Sequence, residues 1–182
     1  MHSSVVIMRL QRCSLKQVQN NIVGLCMHTE TEYLKFALEL AYQNVLQGGR
    51  PFAAIIVKDE KVLATAVNEI HLTQDPTAHA ELLSIRRAGQ ILQTQDLQDC
   101  VIFATGQPCP MCLALMHMTG IQKAIYAYSN QDAEAYQLST AAIYQQMQHE
   151  LYDQNIHATY LPIRLPQQPD LYQLWSELQT SQ

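Results

Sequence analysis

The chain has 182 residues and a formal net charge of −5, with 48% apolar and 15% charged residues. Length and composition fit one ordinary domain with a buried core and exclude a compositionally disordered chain. Eleven basic against sixteen acidic residues weigh against a nucleic-acid binder, which needs a basic face, and no apolar run approaches the roughly 20 residues of a membrane-spanning helix.

In chain order, residues 1–26 are polar and weakly patterned. They read as a loosely packed extension ahead of a single domain over 27–182. The short apolar run at residues 5–8 precedes Arg9 and Arg12, the reverse of a secretion signal. Five cysteines, an odd number with two in a C-x-x-C, point to metal or redox chemistry in a reducing compartment. The expected location is therefore cytoplasmic.

Thr29 or Thr31 caps a helix running to about residue 47, with Tyr33, Phe36, Ala37, Leu40 and Ala41 on its buried face. Gly48 and Gly49 end it. Residues 52–58 and 61–67 are β-rich and joined by Asp59-Glu60, a hairpin signal. Asp75-Pro76-Thr77 opens a helix over 78–92, with the proline near its first turn. Strands follow at 100–105, 124–128 and 158–163, and helices at 108–119, 132–149 and 170–178. This alternation predicts an α/β fold, a five-stranded mixed sheet with helices on both faces and its later strands parallel. Sites in such sheets lie at the carboxyl ends of strands, where helix N-termini point.

Two motifs stand at predicted helix N-termini: His79-Ala80-Glu81, and Pro108-Cys109-Pro110-Met111-Cys112. His79, Cys109 and Cys112 are three ligands of the types zinc prefers, leaving a fourth tetrahedral position for water. Cys109 and Cys112, three apart at a helix start, share one face, and the helix dipole favours their thiolates. Glu81 follows His79 by two residues, so its carboxylate can serve the water without binding the metal. A lone C-x-x-C is a weak signal; joined to H-A-E some thirty residues upstream it makes the zinc-deaminase pattern.

On these residues the chain resembles the zinc-dependent cytidine and nucleobase deaminases, and within them most closely the bacterial guanine deaminase branch. The matching stretches run from Gly49-Arg50-Pro51-Phe52 through residue 58, then Asn68, Asp75-Pro76-Thr77-Ala78-His79-Ala80-Glu81, Asp99-Cys100 and Pro108-Cys109-Pro110-Met111-Cys112-Leu113. The resemblance implies a three-layer α/β/α sandwich of the cytidine deaminase-like kind, a homodimer, a Zn²⁺ cofactor and hydrolytic release of an exocyclic amine as ammonia. Carried over by position, His79, Cys109 and Cys112 hold zinc, and Glu81 shuttles protons. Asn68 hydrogen-bonds the substrate ring, Phe52 packs on its face, and the Ala80 N–H meets a ring carbonyl.

The chain departs from that branch at several places. Where the branch places an aspartate after the fourth strand, this chain reads Leu138-Ser139-Thr140, with Asp132 and Glu134 nearby. Gln107 stands where a glutamate is common, and Met118 where an aromatic is common. Tyr172 and Trp175 are the candidates for an aromatic that closes the pocket.

Simpler roles are expected elsewhere. Cys100 packs as a small apolar residue, His71 is a loop histidine, and Arg86-Arg87 lie on a solvated helix face. The leading function is hydrolytic deamination of a free nucleobase, guanine or a related aminated heterocycle. A cytosine or nucleoside deaminase of the same fold is one rival, and a transfer-RNA adenosine deaminase another. A zinc-stabilised interaction module without activity is the rival from a different class.

Overall fold

The computed structural model describes residues 24–180. The expected loose extension therefore lies, for residues 1–23, outside the described residues. Its last three residues run beside the sheet: the Gly24 N–H donates to the Val62 carbonyl (2.8 Å), and Leu25 accepts from the Val62 N–H (3.0 Å).

Helix α1 spans Glu30–Leu46. Thr29 starts it with a capping box: its hydroxyl accepts from the Glu32 N–H (3.2 Å), and the Glu32 carboxylate accepts from the Thr29 N–H (3.1 Å). The expected face, Tyr33, Phe36, Ala37, Leu40 and Ala41, is buried, and the same stripe continues to Asn44. Strands β1 (Ala53–Lys58) and β2 (Lys61–Val67) form the hairpin. Asp59 and Glu60 make its turn with φ of 48° and 59°, the two left-handed residues that a tight turn between right-twisted strands demands.

A single turn of helix, α2 (Ile70–Thr73), leads to α3 (Ala80–Leu92). Pro76 does not sit in the first turn of α3, because the chain first closes a separate turn on Asp75. There the carboxylate accepts from the Thr77 N–H (2.8 Å) and hydroxyl (2.7 Å), which holds the Asp75 carboxyl below its ordinary range. Strand β3 (Val101–Gly106), helix α4 (Pro110–Met118) and strand β4 (Lys123–Tyr128) follow.

The sheet has the order β2-β1-β3-β4. β1 is antiparallel to both β2 and β3, and β3 is parallel to β4 across the α4 crossover. Alternation along the strands divides the core between the two faces. Ala54, Ile56, Ile102 and Ala104 meet residues of α3 and α4 on one side. Ala53, Ile55, Val57 and Phe103 meet α1 on the other. Helices thus cover both faces of a mixed sheet, as expected.

The strand count is a correction: the sheet has four strands, not five. The apolar run at 158–163 forms no ladder, and its Tyr160, Leu161 and Ile163 are exposed. Alternating apolar character alone does not order a strand without backbone partners. The long helix expected over 132–149 is also two short ones, α5 (Asn130–Glu134) and α6 (Ala141–Gln146). Gln137 takes a left-handed φ of 58°, which ends the first, and the Asn130 side chain then accepts from the Thr140 N–H (2.9 Å) just before the second.

The chain divides into two compact units, the second beginning at Gln148. That unit holds a 3₁₀ turn at Leu151–Asp153 and helix α7 (Leu171–Thr180), and none of its described residues is buried. Among the described residues no helix is long and apolar enough to cross a membrane.

Candidate active site

His79 and Cys109 occupy the N-cap positions of α3 and α4. Pro110, at the first helical position of α4, has no N–H to leave unsatisfied there. One turn on, Cys112 points to the same side as Cys109. The two helices converge so that Cys109 Sγ lies 3.6 Å from His79 Nδ1 and 3.6 Å from Cys112 Sγ, with Cys112 Sγ 3.7 Å from His79 Nδ1.

These three atoms form a group that could hold a metal ion, and their triangle tests the fit. Zinc–sulfur bonds of about 2.3 Å and zinc–nitrogen bonds of about 2.05 Å at tetrahedral angles set S···N near about 3.6 Å and S···S near about 3.8 Å. The observed triangle matches both within the tolerance of such sites. Among the described residues no fourth histidine, cysteine or carboxylate completes the group. Cys100, the one other cysteine near enough in sequence to suggest a closed site, is a buried core residue whose thiol is pushed up by burial.

The three groups compete for protons. The hydrogen bond with Cys112 and then that with His79 pull the Cys109 thiol down to about 4. The same pairing, with burial, pushes Cys112 up, and the contact with Cys109 raises His79. Ionising Cys109 thus opposes ionising Cys112, and a metal would need both deprotonated.

Glu81 sits in the first turn of α3 and is only 7% exposed. Burial lifts its carboxyl to about 7, against the opposing pull of its own backbone N–H, of His79 and of the Cys112 thiol that hydrogen-bonds to it. It lies beside the three ligands without being one of them. Ala80 is the first helical residue, where a backbone N–H has no acceptor within its own helix.

The remaining expected site residues come from the ends of strands. Asn68 directly follows β2 and is 1% exposed; its Oδ1 accepts from the Ile70 N–H (3.3 Å), and among the described residues its Nδ2 has no protein partner. Its N–H donates to the Phe52 carbonyl (2.9 Å), which ties the two residues together. Phe52 is half-buried at the start of β1, beside the end of its antiparallel neighbour β3. Its ring packs against Gly106: a Cβ there would stand 2.8 Å from Cε1, so no larger residue fits while the ring stays.

Several residues here went unnoticed in the sequence. The buried Thr105 hydroxyl accepts from the Ala53 N–H (3.0 Å) and donates to the Pro51 carbonyl (3.1 Å), bracketing Phe52. The Tyr144 hydroxyl on α6 donates to the Pro108 carbonyl, just before Cys109. Neither position carries a motif, although a threonine inside an apolar strand does signal a buried polar contact.

Arg87 is a correction to the solvated face. Its guanidinium donates to the Thr65 carbonyl (2.6 Å) and to Glu69 (2.9 Å), bracing the segment that carries Asn68. Asp132 is occupied by its own cap, accepting from the Ser129 N–H (2.8 Å), while Glu134 is exposed.

A mixed sheet with helices on both faces, three residues at two helix N-termini that could hold a metal ion and a buried carboxyl beside them together fit a hydrolytic deaminase. The chain belongs to the MafB19-like deaminase family, whose model matches residues 28–159. It is 33% identical to guanine deaminase of Bacillus subtilis (strain 168) over 150 residues, covering 82% of this chain and 94% of that one. The solved structure of the Bacillus subtilis guanine deaminase is similar with a TM-score of 0.73 at 31% identity, covering 82% of this chain and 95% of that chain. A tRNA-specific adenosine deaminase of Aquifex aeolicus (strain VF5) is 38% identical over 95 residues, covering 52% of this chain and 63% of that one.

Proposed function

We propose that this chain, through its domain over 27–182, is a cytoplasmic, zinc-dependent aminohydrolase that converts a free nucleobase, guanine or a related aminated purine, to the oxo base and ammonia. The observation that carries the reading is the ligand triangle with an open fourth position and Glu81 buried beside it. The similarity to guanine deaminase over most of both chains supports the substrate class.

His79, Cys109 and Cys112 would hold the ion, which when bound supplies the Lewis acidity that makes water nucleophilic near neutral pH. Glu81 takes the proton of the attacking water on its carboxylate and delivers it to a ring nitrogen. It then carries the second proton to the departing amine, so that one water is consumed and one ammonia leaves. A carboxyl poised near neutrality by burial suits both directions of transfer. Phe52 offers its ring face to the planar base, Asn68 its free amide N–H groups, and Ala80 its backbone N–H to a ring carbonyl, held at the positive end of α3.

A homodimer fits the open edge of the sheet, where β4 exposes Tyr126 and Tyr128. The similarity to a tRNA-specific adenosine deaminase favours a second reading, transfer-RNA adenosine deamination. The acidic balance of the chain opposes it.

The test is ammonia release by zinc-loaded protein from guanine, adenine, cytosine, their nucleosides, triazine amines such as ammeline, and transfer RNA. Fastest turnover of guanine or another aminated purine is expected. Turnover of cytosine or a nucleoside alone would replace the substrate assignment, and salt-sensitive deamination of transfer RNA would install the second reading.

A further inference from the structure

We propose that Asn44, on α1 and outside the group of site residues described above, is a positioning residue that sets where Asn68 presents its amide to the substrate ring. The proposal rests on the reading of Asn68 given above. Asn44 is 2% exposed, on the apolar stripe of α1 directly after Leu40 and Ala41. A polar side chain in that place costs desolvation unless its groups are satisfied. Its Nδ2 donates to the Arg50 carbonyl (2.8 Å) and to the Asn68 carbonyl (3.1 Å).

Those two acceptors are not arbitrary backbone. Arg50 begins the segment that delivers Phe52, and the Phe52 N–H donates back to the Arg50 carbonyl (2.8 Å). Asn68 has its N–H fixed by the Phe52 carbonyl and its own carbonyl fixed by Asn44. Both sides of its backbone are thus immobilised, and the side chain stands between them. One amide therefore joins the two segments that present the ring-stacking and ring-hydrogen-bonding groups.

The space for this clasp is reserved by Gly49. A Cβ on Gly49 would lie 2.4 Å from Asn44 Nδ2 and 2.6 Å from its Cγ. The Gly49 N–H also donates to the backbone carbonyl of Asn44 (2.9 Å), so the turn after α1 is wrapped around the same residue. Gly49 has no left-handed φ to explain it; the close approach does.

The experiment is a double-mutant cycle on the full chain, using whichever base of the panel the wild type turns over fastest, with zinc content measured in every variant. Asn44→Ala is expected to raise KM about 10-fold, the size of one misplaced hydrogen bond, with kcat changed far less and zinc per chain unchanged. Gly49→Ala, which crowds the amide without removing it, is expected to raise KM in the same direction. Against an Asn68→Ala background, Asn44→Ala should change KM by less than about 2-fold, because the group it positions is gone.

Additive effects on KM, or a wild-type KM in Asn44→Ala with only a lower Tm, would overturn the proposal and leave Asn44 a structural residue. If Asn44→Ala fails to fold, Asn44→Asp, which keeps the volume but loses the donor, takes its place in the cycle. A wild-type KM in Asn68→Ala would overturn the reading of Asn68 and the proposal with it. Absence of turnover by the wild type across the panel would do the same.

Discussion

Ile55 on β1 and Trp175 on α7 are both large apolar residues, yet Ile55 is fully buried while Trp175 is 64% exposed. The contrast extends to their surroundings. Up to residue 147, apolar side chains alternate across β1, β2 and β3 and are closed over by α1, α3 and α4. From Gln148 onward, Leu171, Leu174, Trp175 and Leu178 line one side of α7 at helical spacing, and none of them is buried. Apolar content is therefore a poor guide to what carries stability; sheet pairing and coverage on both faces decide it. The site residues described above all belong to the first of these regions, and Ala80, Cys109 and Cys112 are part of its core.

The sharpest way to break this contrast is at the metal group. Cys112→Ser and Cys109→Ser are expected to lower bound zinc below one per chain and reduce ammonia release by at least about 10³-fold, because a zinc site held by three residues has no ligand to spare. Metal analysis beside the assay checks this; full activity without metal would contradict it.

Next is the packing that frames the base. Gly106→Ala must displace the Phe52 ring or shift β3, at a cost of about 1–3 kcal/mol if it falls on transition-state binding. That corresponds to a loss of roughly 5- to 150-fold in kcat/KM at unchanged zinc content. A wild-type kcat/KM would show that the ring can move without consequence.

The two regions themselves are compared by truncation. Ile55→Ala should lower unfolding free energy by about 2–5 kcal/mol in denaturant melts. Trp175→Ala should change it by no more than about 0.5 kcal/mol. Equal losses would mean that α7 buries its apolar side in solution.

The parts of this fold that could be read from the sequence are those written in short-range chemistry. The cap at Thr29 and the Asp59-Glu60 turn each rest on a few neighbouring residues, and the convergence of His79, Cys109 and Cys112 on two short motifs whose residue types admit few alternatives. The helix over 132–149 and the strand over 158–163 rested on pattern alone. Asn130, reaching ten residues ahead to Thr140, is the kind of contact no local pattern announces.

Asn44 was legible in principle. It continues the buried stripe of α1 one step past Ala41 and precedes a pair of glycines. An asparagine on an apolar stripe signals a buried hydrogen bond, but its partner at Asn68, 24 residues away, appears only once the strands are placed. Arg87 escaped for the same reason: its partners lie on β2 and in the segment after it.

The central claim is that Glu81 moves protons for an ion it does not bind. Glu81→Gln keeps the size of the side chain and removes its ability to exchange a proton, so zinc content and ammonia release from guanine, measured together, test it directly. The expected result is one zinc per chain in both proteins, with turnover by the variant reduced by at least about 10³-fold. Loss of zinc from Glu81→Gln would make Glu81 a ligand, and undiminished turnover would remove it from the reaction; either result contradicts the account.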